Sequence, residues 1–231
     1  MRLKDKLPSV AFAFAEAILF FAIQLTGGTL CTSLCYASVL LALIHAMYVF
    51  FKKARGILIV VALIFTALAD YCLVVMEDHP RVLAMVFFSV AQIVYAVKIT
   101  HGVRRYRLHI VLRIAAVLIL EGLMLAVLGT SADALSVITM FYFANLTLNL
   151  AVCVARKYSI LALGMLAFLL CDVFVGLGVL ASDYLSVAEN TFLYAITHTG
   201  INLVWLFYVP SQTLISLSEL FSEERKEIKY V

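Results

Sequence analysis

Residues 57–76 read ILIVVALIFTALADYCLVVM, an apolar run whose one charged residue is Asp70. A helix needs about 20 such residues to cross the hydrocarbon core of a bilayer. Lys52-Lys53-Ala54-Arg55-Gly56 precedes the run and Glu77-Asp78-His79-Pro80-Arg81 follows it, so charge, glycine and proline mark both ends. The pattern recurs along the chain. It predicts spans near 8–25, 30–51, 57–76, 82–100, 109–128, 133–155, 159–181 and 190–217. The further breaks are Thr26-Gly27-Gly28, the basic stretch around Arg104, Arg105 and Arg107, Gly129-Thr130-Ser131, Arg156-Lys157 and Ser182-Asp183. The reading is an all-α, polytopic transmembrane bundle of about eight helices, one domain over residues 1–231.

Composition excludes the soluble alternative. The chain is 65% hydrophobic and 13% charged, whereas soluble domains run about 45–50% apolar and about 25% charged. A soluble fold of this size still exposes much of its surface, so lipid must be the solvent for most of it. The net charge of +3 is dispersed over short connections, which leaves no basic patch for a nucleic acid. Cys31, Cys35, Cys72, Cys153 and Cys171 form no CxxC pair and read as small packing residues. No metal or cofactor motif is present, and neither GxSxG nor HExxH occurs. The first span holds Glu16 and is followed by Thr-Gly-Gly, so it reads as a retained helix and not a cleaved leader.

Charge also sets the expected orientation. With connections numbered alternately, sixteen of the seventeen Lys and Arg residues fall on one side and only Arg81 on the other. That segregation predicts both termini in the cytoplasm and a place in the cell membrane. The tail from Glu219 to Val231 mixes acids and bases and reads as the last helix continuing into the cytosol. Helices 1–4 laid over helices 5–8 bring polar residues into register. Glu16 and Glu121 are 105 apart, Asp70 and Asp172 are 102 apart, and His45 and Asn149 are 104 apart. An even helix count per half makes this a parallel 4+4 repeat.

Four carboxylates lie inside the spans: Glu16, Asp70, Glu121 and Asp172. Each costs about 2.5–3.5 kcal/mol on insertion scales, which makes it a functional candidate. Asp70 lies 14 residues beyond Gly56 and Asp172 lies 14 beyond Tyr158, so both sit about 21 Å from the same face. His198 and Gln92 are expected near that level, completing one polar layer. Structural readings stand beside the functional ones. The Asp residues can hydrogen-bond neighbouring helices, Glu16 and Glu121 can pair with each other or with His45, and Asn145, Asn149 and Asn202 suit interhelical bonds. Tyr36, Tyr71, Tyr158 and Tyr184 suit the membrane interfaces, while Trp205 reads as a deep packing residue. Two carboxyls in one low-dielectric layer do not both ionise. Such a pair suits acid catalysis with charge stabilisation, and equally a proton- or cation-coupled transporter.

Phe65-Thr66-Ala67-Leu68-Ala69-Asp70 and Ala91-Gln92-Ile93-Val94-Tyr95 in helices 3 and 4 resemble the YhhN family of lysoplasmalogenase-like membrane proteins. So do Gly164-Met165-Leu166-Ala167-Phe168-Leu169-Leu170-Cys171-Asp172 in helix 7 and Tyr208-Val209-Pro210-Ser211-Gln212 in helix 8. The resemblance implies eight helices, a lysophospholipid substrate in the bilayer and hydrolysis of its vinyl ether, with Asp70 and Asp172 as the catalytic acids. Gln92, Tyr95, Tyr208, Gln212, His198, Glu16, Glu121, His45 and Asn149 are the expected supporting residues. The sequence departs from the family pattern at Ala69-Asp70 for Gly-Asp, Cys171-Asp172 for Ser-Asp, and Gln92 for a histidine. A basic residue expected in helix 2 is replaced by its nearest counterpart, His45. A non-enzymatic lipid sensor is the remaining alternative, and the loss of a titratable group at Gln92 favours it.

Overall fold

The computed structural model describes residues 3–101, 106–129, 132–179, 191, 194 and 199–221. The predicted roles of His198, Arg104, Arg105, Asp183, Tyr184 and the tail beyond Phe221 lie outside these residues. Among the described residues the chain is all helical. It forms α1 (Leu3–Leu25), α2 (Gly28–Lys53), α3 (Ile57–Asp70), α4 (Arg81–Thr100), α5 (Tyr106–Leu128), α6 (Ala134–Ala155), α7 (Ser159–Val179) and α8 (Leu203–Phe221). A π-helical turn, Tyr71–Val75, extends α3 directly after Asp70. Seven of these helices, with the π turn counted into α3, are long and apolar enough to cross a bilayer. The exception, α8, buries Ser211, Gln212, Ser216 and Ser218 among its apolar residues.

Local chemistry explains the breaks. Ala54 takes a left-handed conformation (φ 50°) and donates its N–H to Phe50 O, closing α2 behind Lys52 and Lys53. Those two cations sit where the helix dipole is negative. Gly56 (φ 84°) then starts α3, in a conformation that favours glycine. Asp133 caps α6: its carboxylate accepts the Ser136 N–H while the Ser136 hydroxyl accepts the Asp133 N–H. These bonds hold the Asp133 carboxyl below the usual carboxylate range. The eighth helix begins later than its apolar run suggests. Residues 199–202 are not helical, and the Asn202 side chain accepts the Trp205 N–H at 3.3 Å as the N-terminal cap.

The core is built from α2, α3, α4, α6, α7 and α8. Helix α8 lies chiefly along α7, α3 along α4, and α4 along α6, while α1 covers α2 and α8. Without a hydrophobic force between helices in lipid, close packing must hold such pairs. Gly164 supplies it for α7 and α8. A Cβ at Gly164 would fall 2.8 Å from Ile215 Cγ1 and 3.1 Å from the Ile215 amide nitrogen. At one end of the bundle Lys98 of α4 forms a salt bridge to Glu219 of α8, whose side chain also packs over Gly56. That contact fixes the relative heights of α3, α4 and α8.

Candidate active site

Asp70 ends the α-helical part of α3 and is buried among its neighbours, with 4% of its surface exposed. The Tyr208 hydroxyl of α8 donates to Asp70 Oδ2 at 2.5 Å. Asp172 of α7 is met in the same way from another side: the Tyr142 hydroxyl of α6 donates to Asp172 Oδ2, also at 2.5 Å. Phe168, one helical turn before Asp172, stands between the two phenols. Its ring centroid is 5.4 Å from that of Tyr208 and 6.3 Å from that of Tyr142. The two carboxyls lie within electrostatic range of each other. Two Asp–Tyr pairs are thus joined through one aromatic wedge, which Phe88 and Trp205 extend at 5.4 Å from Tyr142 and 5.1 Å from Tyr208. Trp205 packs as expected, but in the first turn of α8.

Gln92 does not belong to this layer. From the level fixed by Gly56, Lys98 and Glu219, Asp70 is 14 residues along α3 and Gln92 six residues along α4. At 1.5 Å per residue the levels differ by about 12 Å. Gln92 instead takes part in a second polar layer. Asn149 Nδ2 donates to both the backbone O and Oε1 of Gln92, at 2.8 and 2.9 Å. Asn149 Oδ1 in turn accepts from Arg113 Nη2 at 2.7 Å, and Asn145 Oδ1 accepts from Arg113 Nη1 at 2.9 Å. In this lower part of the core Gln92 Nε2, Ser211 Oγ and the Gln212 amide are buried with no hydrogen-bond partner among the described residues. Buried groups of this kind ordinarily find a partner in water or a ligand.

The remaining predicted residues form a seam between α1, α2 and α8. The Ser38 hydroxyl donates to Glu16 Oε2 at 2.6 Å, and Glu16 Oε1 has no partner among the described residues. His45 stacks on Phe12 with ring centroids 4.0 Å apart. Ser216 gives its hydrogen to Ala42 O at 2.9 Å, so its oxygen accepts from His45 Nδ1 at 2.7 Å. His45 Nε2 meets the Ser9 hydroxyl at 3.0 Å, which fits a neutral ring protonated at Nδ1. Glu16 and His45 therefore bond to serines and not to each other. Glu121 stands apart on α5, with Oε2 unpartnered. Asn202, besides capping α8, accepts from Gln24 Nε2 at 3.2 Å and donates its N–H to Gln24 Oε1 at 3.0 Å.

Tyr142, Phe168 and Arg113 did not stand out in the sequence as site residues. Tyr142 lies 13 residues before the end of α6, about 20 Å from that face and so level with Asp172. The same depth reckoning that selects the aspartates selects this phenol. Arg113 reads as a connection cation until the start of α5 at Tyr106 places it seven residues inside the helix.

All five cysteines are free, and among the described residues no cluster of His, Cys, Asp and Glu has the makings of a metal site. The fold and site define a multi-pass helical membrane protein with a pair of tyrosine-bonded aspartates in its core. Residues 31–219 match the YhhN family, and the chain belongs to that family. No curated protein and no solved structure matches it.

Proposed function

We propose that the protein hydrolyses the vinyl ether of a lysoplasmalogen or a related lysolipid, with Asp70 and Asp172 as the working groups. The observation that carries this reading is the joined arrangement of the two carboxyls, each accepting a tyrosine hydroxyl on one oxygen. The second oxygen of each takes no hydrogen bond among the described residues. Vinyl ethers cleave when an acid protonates the carbon beta to the ether oxygen, leaving an oxocarbenium ion. Water adds to that ion, and the resulting hemiacetal collapses to an aldehyde and a glycerophospho-alcohol. One carboxylic acid delivers the proton while the neighbouring carboxylate stabilises the cation, a division of labour that also serves glycoside hydrolysis. Tyr208 and Tyr142 orient the acids, and a single-chain lipid keeps its tail in the bilayer during the reaction.

Aldehyde release from a lysoplasmalogen by the purified protein, beside Asp70→Asn and Asp172→Asn, tests the proposal. Loss of turnover in either folded variant is expected. Full turnover in both would refute the mechanism. Proton or cation transport is the second reading, favoured by Gln92 Nε2 and the Gln212 amide, which have no hydrogen-bond partner among the described residues and continue the polar interior below the aspartates. Proton flux in proteoliposomes without aldehyde release would select it.

A further inference from the structure

The first turns of α2 and Val75 at the end of the π turn border an open groove of about 450 Å³ on the outside of the bundle. Thr29, Thr32, Ser33 and Tyr36 line its outer part, and Ala37, Leu40 and Val75 line the rest. Along α2 the wall thus changes from hydroxyl-bearing to aliphatic within about three turns, or about 16 Å. Its direction is from the membrane edge toward the bilayer interior. Tyr36 sits at the crossover. Its ring centroid lies 5.9 Å from that of Tyr71, the first residue of the π turn and the one that follows Asp70. Thr32 and Ser33 give their hydrogens to carbonyls of their own helix, at 3.3 and 2.9 Å, so each retains acceptor capacity. The Tyr36 hydroxyl makes no hydrogen bond among the described residues and can both donate and accept.

We infer that this groove seats a single-chain lysolipid and presents it to Asp70. The free glycerol hydroxyl donates to the Thr32 or Ser33 oxygen, and the Thr29 hydroxyl donates to a head-group oxygen. The chain runs past Tyr36 along Ala37 and Leu40 into the bilayer. The polarity gradient matches such a lipid, and Thr32 stands one helical turn outside Tyr36, about 6 Å, which suits the short glycerol spacer. The π turn is part of the arrangement. It widens the backbone beside Asp70, with Met76 N–H bonding Tyr71 O at 3.0 Å, and such turns often occur at functional sites. This assignment rests on the hydrolase reading for its substrate but is tested by binding.

A photoreactive alkyl lysophosphocholine, which has a saturated ether and cannot be hydrolysed, is the probe. Crosslinks mapped by mass spectrometry should fall on residues 29–40 and 71–76, and an unlabelled alkyl lysophosphocholine should suppress them while a diacyl phosphatidylcholine does not. Ala37→Trp fills the groove from an exposed position and should reduce labelling tenfold or more with the melting temperature held. Tyr36→Phe is the milder companion. It should raise KM for a vinyl-ether lysolipid several-fold more than it lowers kcat. Crosslinks elsewhere, or undiminished labelling of a folded Ala37→Trp protein, would overturn the groove even if aldehyde release persists. Labelling confined to the groove with no aldehyde release would uphold the groove and overturn the hydrolase reading instead.

Discussion

The Tyr208 hydroxyl reaches Asp70 from the neighbouring helix, while the Tyr208 ring packs on Phe168 and Trp205. Tyr208→Phe removes the first contact and keeps the second. Hydrogen bonds to charged groups contribute about 1.5–3 kcal/mol, so turnover should fall roughly ten- to a hundred-fold if the bond orients the acid. The melting temperature should move little, because the ring packing is kept. An activity equal to the unmutated protein would show that Asp70 is held by its burial alone. Glu16 presents the contrasting case, a buried carboxyl with one serine bond and one unpartnered oxygen. Glu16→Gln keeps an acceptor for Ser38 and adds an amide donor in place of a group that can carry charge. Expected are an unchanged or slightly raised melting temperature and aldehyde release within two-fold. A large loss of turnover would instead make Glu16 part of the working site.

At the scale of elements, the seam between α7 and α8 positions Asp172, Phe168 and Tyr208 together. Its closeness depends on Gly164, where any side chain meets Ile215. Overpacking a tight contact costs about 1–3 kcal/mol, so Gly164→Ala should lower the melting temperature and reduce activity in step. Gly164→Leu should yield no monodisperse protein. Gly178→Ala on the same helix, where a Cβ meets nothing within 4 Å, is the control and should behave as the unmutated protein. Equal behaviour of the two alanine variants in melting and turnover would remove this seam from the account. The same scale shows what the sequence could and could not disclose. Span existence was legible because apolar runs and charged breaks alternate cleanly, and Asp70 and Asp172 stood out as charges inside them. The π turn was not legible, since Tyr71–Val75 is as apolar as the helix it extends. Gln92 was assigned to the aspartate level because depth along one helix says nothing of its height relative to another. Only the Lys98–Glu219 contact supplies that register. The late start of α8 was hidden as well, because Gly200 and Asn202 interrupt a stretch that is otherwise apolar.

For the whole molecule, the groove beside Asp70 and the salt bridge between Lys98 and Glu219 lie at opposite ends of the bundle. The expectation of eight spans with both termini cytoplasmic, based on sixteen of seventeen basic residues, assigns the salt-bridge end to the cytoplasmic side. On that orientation the proposed lysolipid groove is expected to open to the outer leaflet. A single-cysteine protein carrying Thr29→Cys, with the five native cysteines replaced by alanine or serine, makes this measurable. Thr29 is exposed in the first turn of α2, so a membrane-impermeant maleimide should label it in right-side-out vesicles without detergent. A cysteine placed at exposed Lys52 should react only after the membrane is opened. Aldehyde release should likewise follow lysolipid added to the outside of right-side-out vesicles faster than to inside-out ones. The reverse labelling pattern would invert the whole bundle in the membrane. It would move the groove to the cytoplasmic leaflet and leave the contacts among Asp70, Tyr208, Asp172 and Tyr142 as they are, because those depend on helix packing and not on which way the charges point.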